Sequence, residues 1–225
     1  MSAPLRVLLV GHGRMGRLVE SLAPDYGVDV VGSVARAAGH DPATWPAAEV
    51  AIDFSTADAV PVNARALAAR GVSLVIGTTG WQREEDSLRK DLLAHNVGVI
   101  AAPNFAIGVN LFLAITERSA QLLGEHGFAS WIHEAHHAAK KDAPSGTALA
   151  IKRIVEASGA TVDVSATRAG HIPGTHTLGF DSPAETITLT HTARDRTAFA
   201  GGALQAAKWI NGRQGWFSMR DMLHL

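Results

Sequence analysis

Short apolar runs alternate with amphipathic segments through the first hundred residues. After the first run, Met15, Leu18 and Leu22 recur at helical spacing, and comparable segments follow the later runs. Five runs rich in aliphatic and β-branched residues are predicted as buried strands: 5–10, 28–34, 49–55, 72–76 and 97–102. Strands that alternate with helices predict an α/β domain built on a doubly wound parallel sheet.

Two helix starts are predicted from residues that commonly cap helices. Ser55 or Thr56 is expected to cap the helix after the third strand. Ser145 is expected to cap a second helix, which carries Ile151 on its apolar side. Pro144 prevents a regular helix from beginning upstream of that cap.

The pattern changes after residue 110. An amphipathic helix at 110–123 precedes four predicted strands: 130–137, 161–167, 175–180 and 186–192. The last strand alternates threonines with apolar residues, which indicates one packed face and one solvated face. We predict a dinucleotide-binding domain of residues 1–106 plus 197–225, and a second, α+β substrate-binding and oligomerisation domain of residues 107–196.

Composition excludes several classes of function. The 225 residues carry 20 basic and 21 acidic side chains, so a general affinity for nucleic acids or acidic membranes is not expected. The absence of cysteine excludes disulfides, cysteine-ligated zinc and a thiol nucleophile. The apolar run Val7–Val10 is too short for a signal peptide or a membrane span, and we expect a cytoplasmic protein.

A glycine-rich turn joins the first strand to the first helix. Its sequence is Gly11-His12-Gly13-Arg14-Met15-Gly16. In such a turn the first glycine allows a tight bend, the second lets the backbone approach a pyrophosphate, and the third lets helix and strand pack closely. The turn therefore predicts a Rossmann-like dinucleotide site at the helix N-terminus.

The ends of the other strands suggest the rest of the cofactor site. An acidic ribose ligand is expected at the end of the second strand, but Ala35 and Arg36 stand there, which favours a 2′-phosphate and NADPH over NADH. Alternatively, Arg36 is a solvated surface charge. Ligands bind at the carboxyl ends of parallel strands, so we also expect contacts from the ends of strands four and five: Gly77, Thr78, Thr79, Ala102, Pro103, Asn104 and Phe105.

The segment 133–148 concentrates the polar chemistry of the second domain. Its first nine residues hold three histidines, a glutamate and two lysines. It ends at a helix N-terminus containing Ser145, Gly146 and Thr147, which favours an anion. On an extended strand His136 shares a face with Glu134 and not with His137, so both histidines reach one ligand only if the strand ends near 136. We predict a small carboxylated substrate beside a proton donor.

With these residues placed, the chain resembles the dihydrodipicolinate reductase family of bacterial lysine and diaminopimelate synthesis over nearly its whole length. Two departures are visible, namely short connections between 36 and 50 and after 176, and Ala35 where many members carry an acidic residue. The resemblance rests on 11–16, Asp53-Phe54, 77–80, 103–108, the signature at 134–148, Arg168-Ala-Gly with His176, and an Arg-Asp pair near the C-terminus.

The resemblance implies NAD(P)H-dependent reduction of 4-hydroxy-tetrahydrodipicolinate, a cyclic dicarboxylate, after loss of water. His136 is the expected proton donor, because an imidazole titrates near the working pH. The resemblance further implies that Lys140 is a second acid that also holds a carboxylate, and that His137 contacts the substrate. Ser145, Gly146 and Thr147 would hold the other carboxylate. A homotetramer is also implied.

Three alternatives remain open at this stage. His133, His136 and His137 could bind a metal ion, although Lys140 and Lys141 would repel it, and we expect no metal. A non-catalytic dinucleotide-sensing protein would share the first domain but would not need a proton donor beside an anion site. Another NAD(P)H-dependent imine or semialdehyde reductase would share the sheet but not the signature at 134–148.

Overall fold

The computed structural model describes residues 3–34 and 41–225. The chain divides into two compact units, one formed by residues up to 107 together with 197–225 and one by residues 108–196. The sequence-based division differs from this one by placing residue 107 in the second unit.

The first unit contains the predicted doubly wound parallel sheet. Its six strands lie in the order β10-β5-β4-β3-β1-β2, and all of the pairings are parallel. The sixth strand was not predicted, because three residues are too few to show a strand pattern. The strands are β1 Leu5–Val10, β2 Val28–Val34, β3 Val50–Asp53, β4 Ser73–Ile76, β5 Gly98–Ala101 and β10 Gly215–Phe217.

Alternate residues of β1 pack into separate cores on the two faces of this sheet. Val7 and Leu9 lie in a core with helices α1 and α6, whereas Leu8 and Val10 lie in a core with helices α2 and α3. Such runs of apolar residues are expected for strands covered on both faces. The helices are α1 Arg14–Leu22, α2 Val60–Ala68, α3 Glu85–Leu93, α6 Thr197–Ile210 and α7 Met219–Leu223.

The start of α2 differs from the prediction. The helix begins at Val60, and no described side chain caps it. Ser55 is not the cap, because both its N–H and its hydroxyl donate to the Asp53 carboxylate, at 2.8 and 2.6 Å. Thr56 is not the cap either, since Ala59 occupies the cap position, and the carbonyl of Thr56 closes a turn before it by accepting from the N–H of Ala59 at 3.0 Å. The buried carboxylate of Asp53 draws Ser55 into the strand end.

The second unit is a four-stranded mixed sheet with two helices. The sheet order is β7-β6-β8-β9, in which only the β6–β7 pair is parallel. Ile132, Leu178 and Phe180 form its core with residues of both helices, such as Phe112 and Ile151. The elements are α4 Ile107–Glu125, β6 Ala129–His136, α5 Gly146–Ala157, β7 Val162–Arg168, β8 Gly174–Asp181 and β9 Thr186–Ala193.

The other face of this sheet carries rows of threonines on β8 and β9, beside Trp131 on β6, whose ring lies over Gly179. Hydroxyl pairs join β8 to β9 across it, Thr175 with Thr192 and Thr177 with Thr190, each at 3.1 Å. The predicted alternation of packed and solvated residues along β9 is therefore present. Within the described residues, none of the helices combines the length and the apolar character that a membrane crossing requires.

Candidate active site

The glycine-rich turn of the first unit leaves an open helix N-terminus. Gly11 has φ of +90°, and a Cβ there would lie 2.6 Å from the carbonyl carbon of Phe54, so only glycine fits. A Cβ on Gly13 would meet none of the described atoms within 4 Å. No described side chain caps α1, and its first internal bond runs from Arg17 N–H to the Gly13 carbonyl at 3.1 Å. The preceding N–H groups can therefore bind an anion.

The side chains of this turn lie along α1. Gly16 packs against the carbonyl of Gly11, and Met15 packs against the core that the sheet forms with α1 and α6. The imidazole of His12 pairs with the carboxylate of Glu20, two turns into the helix, with 2.6 Å between Nε2 and Oε2. Arg14 is exposed. The turn therefore offers its backbone N–H groups, and not a fixed side chain, to a ligand.

The end of β4 is organised by Asp53 at the end of β3. The Asp53 side chain is buried, and its Oδ1 accepts from the hydroxyl of Thr78 at 2.9 Å. Gly77 lies against the ring of Phe54 and has no room for a Cβ. The side chain of Thr78 is therefore buried, whereas the adjacent residue Thr79 is exposed.

The end of β5 divides in the same way between exposed and buried residues. Ala102 is half-buried and Pro103 is exposed, whereas Phe105 lies in the core at 2% exposure. Oδ1 of Asn104 accepts from the N–H of Ala106 at 2.8 Å. The side chain of Phe105 therefore packs into the core next to the end of β5. The remaining predicted cofactor ligand, Arg36, lies outside the described residues, as does Ala35.

In the second unit β6 ends at His136, as the sequence argument requires for both histidines to reach one ligand. His136 is half-buried on the packed face, and His137 follows the strand end and is exposed. His133 lies on the opposite face, with its Nδ1 2.9 Å from Oγ of Ser165. Because His133 points away, the three histidines do not form the metal site considered from the sequence.

Glu134 is the centre of a buried network at this strand end. Its side chain has no exposed surface. Arg168 donates to both of its oxygens, at 2.6 Å from Nη2 to Oε1 and 3.1 Å from Nη1 to Oε2. The backbone N–H of Ser145 donates to Oε1 at 3.2 Å, and the ring Nδ1 of His136 is in short contact with Oε2. Three elements therefore hold one carboxylate in place.

Burial and the hydrogen bonds and charges of the network together shift three pKa values. Burial alone would raise the pKa of Glu134, but the hydrogen bonds from Arg168 and His136 outweigh it and lower that pKa. Burial lowers the pKa of His136 by more than the Glu134 carboxylate raises it. Burial, together with the neighbouring His136, lowers the pKa of His176 to about 4. Glu134 is therefore ionised and His176 neutral at pH 7.

Ser145 caps α5 and is occupied within the protein. Its Oγ accepts from the N–H of Ala148 at 3.2 Å and lies 2.9 Å from Nε2 of His176. Ser145 is 2% exposed. It therefore lies beneath the anion site that was expected from the sequence, and its hydroxyl and N–H are already used.

Gly146 and Thr147 are the first two residues of α5. The first internal bond of the helix runs from Leu149 N–H to the Ser145 carbonyl at 3.0 Å, so these two residues have no partner within the helix. A Cβ on Gly146 would meet none of the described atoms within 4 Å. The N–H groups of Gly146 and Thr147 therefore lack a partner within α5 and lie at a positive helix end.

Lys140 is held by an exposed partner on the same loop. Its Nζ lies 2.8 and 3.0 Å from the two carboxylate oxygens of Asp142. The hydrogen bond from Lys140 lowers the pKa of Asp142. Such exposed pairs are weak, so an incoming carboxylate can compete for the ammonium group.

One group in the described part of the chain has the residue types of a metal site. The possible ligand atoms of Glu134, His136 and His176 lie within 4.8 Å of one another. However, the guanidinium of Arg168 already contacts the same carboxylate at 2.6 Å. A cation there would face that positive charge, and hydrogen bonds account for the cluster without one.

Sequence reasoning did not assign roles to Glu134, Arg168 and His176. Alternation along β6 placed Glu134 beside His136, and this was the available signal. Arg168 was placed just beyond the predicted strand 161–167, although it is the last residue of β7, whereas His176 was predicted within the strand that is now β8. Only the pairing of β6 with both of those strands brings the three together.

Comparison with known proteins gives a consistent result. Two family models match, described as the N-terminus of dihydrodipicolinate reductase over residues 5–105 and its C-terminus over residues 108–223. The 4-hydroxy-tetrahydrodipicolinate reductase of Acidiphilium cryptum is 40% identical over 247 aligned positions, 99% of each chain. The enzyme of the same name from Archaeoglobus fulgidus is 38% identical, covering 97% of this chain and 100% of that one. A dipicolinate-bound dihydrodipicolinate reductase from Paenisporosarcina sp. TG-14 shares the fold, with a TM-score of 0.79 at 20% identity over 96% of this chain and 97% of that one.

Proposed function

This chain belongs to the dihydrodipicolinate reductase family, and we propose that it reduces 4-hydroxy-tetrahydrodipicolinate to tetrahydrodipicolinate on the diaminopimelate route to lysine. It is an NAD(P)H-dependent oxidoreductase. The observation that carries the proposal is the loop after β6, where a held imidazole, an ammonium group and a free helix N-terminus follow one another within twelve residues, 136–147.

The first unit fits a dinucleotide. The N–H groups at the start of α1 have no side-chain cap, and the space beside Gly13 is open, which suits a pyrophosphate. We assign the nucleotide to the turn 11–16 and the nicotinamide side to exposed groups at the ends of β4 and β5, such as Thr79 and Ala102. When bound, NADPH or NADH supplies the hydride. Arg36 is assigned to the 2′-phosphate on its sequence position alone.

The second unit fits a dicarboxylate and a proton transfer. The N–H groups of Gly146 and Thr147 hold one carboxylate, and Ser145 supports them by capping the helix. The ammonium group of Lys140 leaves the carboxylate of Asp142 and binds the other carboxylate of the substrate. His137 contacts the substrate from the exposed side of the strand end. His136 protonates the ring carbon of the enamine that remains after hydride addition.

The test is a steady-state assay with the hydroxy-imine generated enzymatically in the cuvette. We expect His136→Gln and Lys140→Ala each to lower kcat by on the order of 100-fold, the scale of a lost general acid, with little change in cofactor affinity. His126→Gln and Lys141→Ala, which alter exposed residues of the same types, are the controls. Unaltered turnover in both test variants would refute the assignment.

The same assay separates the alternatives. A different imine or semialdehyde reductase would turn over its own substrate class and leave the hydroxy-imine unreduced. A dinucleotide-sensing protein would bind NADPH and reduce neither compound.

We also propose that the enzyme is a cytoplasmic homotetramer. The support for the tetramer is the outer face of the second sheet, where Thr188, Thr190 and Thr192 are exposed along the edge strand β9. A regular hydroxyl-bearing sheet face can pair with copies of itself. Sedimentation equilibrium should give four times the chain mass, and a monomer mass would contradict the proposal.

A further inference from the structure

The contact between Glu134 and His136 determines which ring nitrogen of His136 carries a proton. Glu134 accepts hydrogen bonds from Arg168 and Ser145, so it is held as a carboxylate and can only accept. Its contact with Nδ1 of His136 therefore requires a proton on Nδ1. In the neutral ring, Nε2 is then an acceptor and has no proton to give.

The Nε2 edge of the His136 ring packs against a glycine. A Cβ on Gly174, at the start of β8, would lie 2.9 Å from Nε2 of His136. Because Gly174 lacks a side chain, the ring fits in this position, and 13% of the His136 side chain remains exposed. The ring of His176 lies on another side, with 5.1 Å between the ring centroids in an edge-to-face arrangement.

A neutral imidazole in this tautomer cannot protonate an enamine, so a second proton must arrive before the chemical step. Deepening the proposed function, on which this inference rests, we propose that Glu134 is a positioning residue that fixes the Nδ1–H tautomer of His136, so that the imidazole takes up its catalytic proton at Nε2 only when the dicarboxylate binds. The proton then passes from Nε2 to the enamine carbon, the new C–H bond forms, and the ring returns to its neutral Nδ1–H form.

The charges around His136 support this order of events. Burial lowers the pKa of His136 in the free protein, despite the Glu134 carboxylate. Two anionic groups of the substrate would reverse that balance, since opposite charges within a few ångströms favour the charged form. The titratable and charged groups that face the ring are Glu134 on β6, Lys140 on the following loop, Arg168 on β7 and His176 on β8.

The first test measures proton uptake by the unaltered protein. Calorimetric titration with pyridine-2,6-dicarboxylate, in buffers of different ionisation enthalpy, reports the protons exchanged on binding. We expect net uptake approaching about one proton near neutral pH, and loss of that uptake in His136→Gln. Binding without proton uptake would overturn the inference while leaving the reductase activity intact.

The second test observes the tautomer. Nitrogen-15 NMR of histidine-labelled protein should show Nδ1 protonated and Nε2 unprotonated in the free enzyme near neutral pH. In Glu134→Gln the amide can donate to Nδ1, so the ring proton should move to Nε2. An unchanged tautomer in a folded Glu134→Gln protein would contradict the role of Glu134. If that variant does not fold, the wild-type spectrum decides alone, because an Nε2–H ring would also contradict it.

The third readout is the pH profile of turnover. Activity that needs the imidazolium falls as pH rises through its pKa. For the wild type, the midpoint in kcat/KM should lie below 6.5, the ordinary value, and the midpoint in kcat should lie higher because bound substrate favours the charge. Glu134→Gln should lower kcat at least about 100-fold and shift its midpoint downward. Equal midpoints in kcat and kcat/KM would overturn the inference. If the wild type did not reduce the hydroxy-imine at all, the proposed function would be refuted instead.

Discussion

The buried imidazole of His176 predicts a measurable loss of stability at mildly acidic pH. Its pKa is lowered from 6.5 to about 4 by burial and by His136, so the unfolded chain binds a proton that the folded chain does not. Between these two values the stability must fall as pH falls. A shift of this size corresponds to about 3 kcal/mol when fully developed, of which about 2 kcal/mol should appear between pH 7 and pH 5.

The perturbation that isolates this effect is His176→Gln, which removes the titration and keeps an amide near Ser145. Urea unfolding at pH 7 and pH 5 gives the free energy of unfolding for each protein. The wild type should lose about 2 kcal/mol more than His176→Gln over this interval. His126→Gln, at an exposed histidine, should behave like the wild type. Parallel losses in wild type and His176→Gln would refute the reasoning, since they would mean that His176 titrates equally in the folded and unfolded states.

Three further outcomes follow from other parts of the site. Arg168→Met should lower Tm by roughly 10 °C, because it leaves the buried carboxylate of Glu134 without its main partner. The control Arg153→Met, on the exposed side of α5, should leave Tm unchanged, and equal Tm values for the two variants would contradict this reasoning. Gly174→Ala should reduce kcat by about tenfold or more, because the added Cβ would displace the imidazole of His136. Gly124→Ala is the control, and an unchanged kcat in Gly174→Ala would show that the ring is not confined. Arg36→Ala should raise KM for NADPH more than for NADH, and equal increases would exclude a 2′-phosphate role.

The sheet of the first unit could be predicted from the sequence because its strands are covered on both faces. The buried runs around Val7, Ala51 and Leu74 are continuous, and each is followed by a polar or glycine-rich end. The strand Gly215–Phe217 could not be predicted, because its three residues are held by pairing with β5 and not by a pattern of their own. The misassigned cap at Ser55 has a similar cause, since a tertiary partner, Asp53, competes for the hydroxyl.

The residues of the candidate active site could be predicted only in part. Sequence spacing places His136, Lys140 and the N-terminus of α5 on one loop, and this follows from local geometry. It does not reveal that Ser145 is buried, because that depends on His176 from a distant strand. The clamp of Arg168 on Glu134 spans 34 residues of sequence and depends on the parallel pairing of β6 with β7.

The most direct test of the central claim is a crystal structure with NADP⁺ and pyridine-2,6-dicarboxylate bound. We expect Nε2 of His136 and Nζ of Lys140 within about 3 Å of the bound dicarboxylate or its ring, with one carboxylate on the N–H groups of Gly146 and Thr147. An imidazole and an ammonium group that both point away from the bound dicarboxylate would contradict the account.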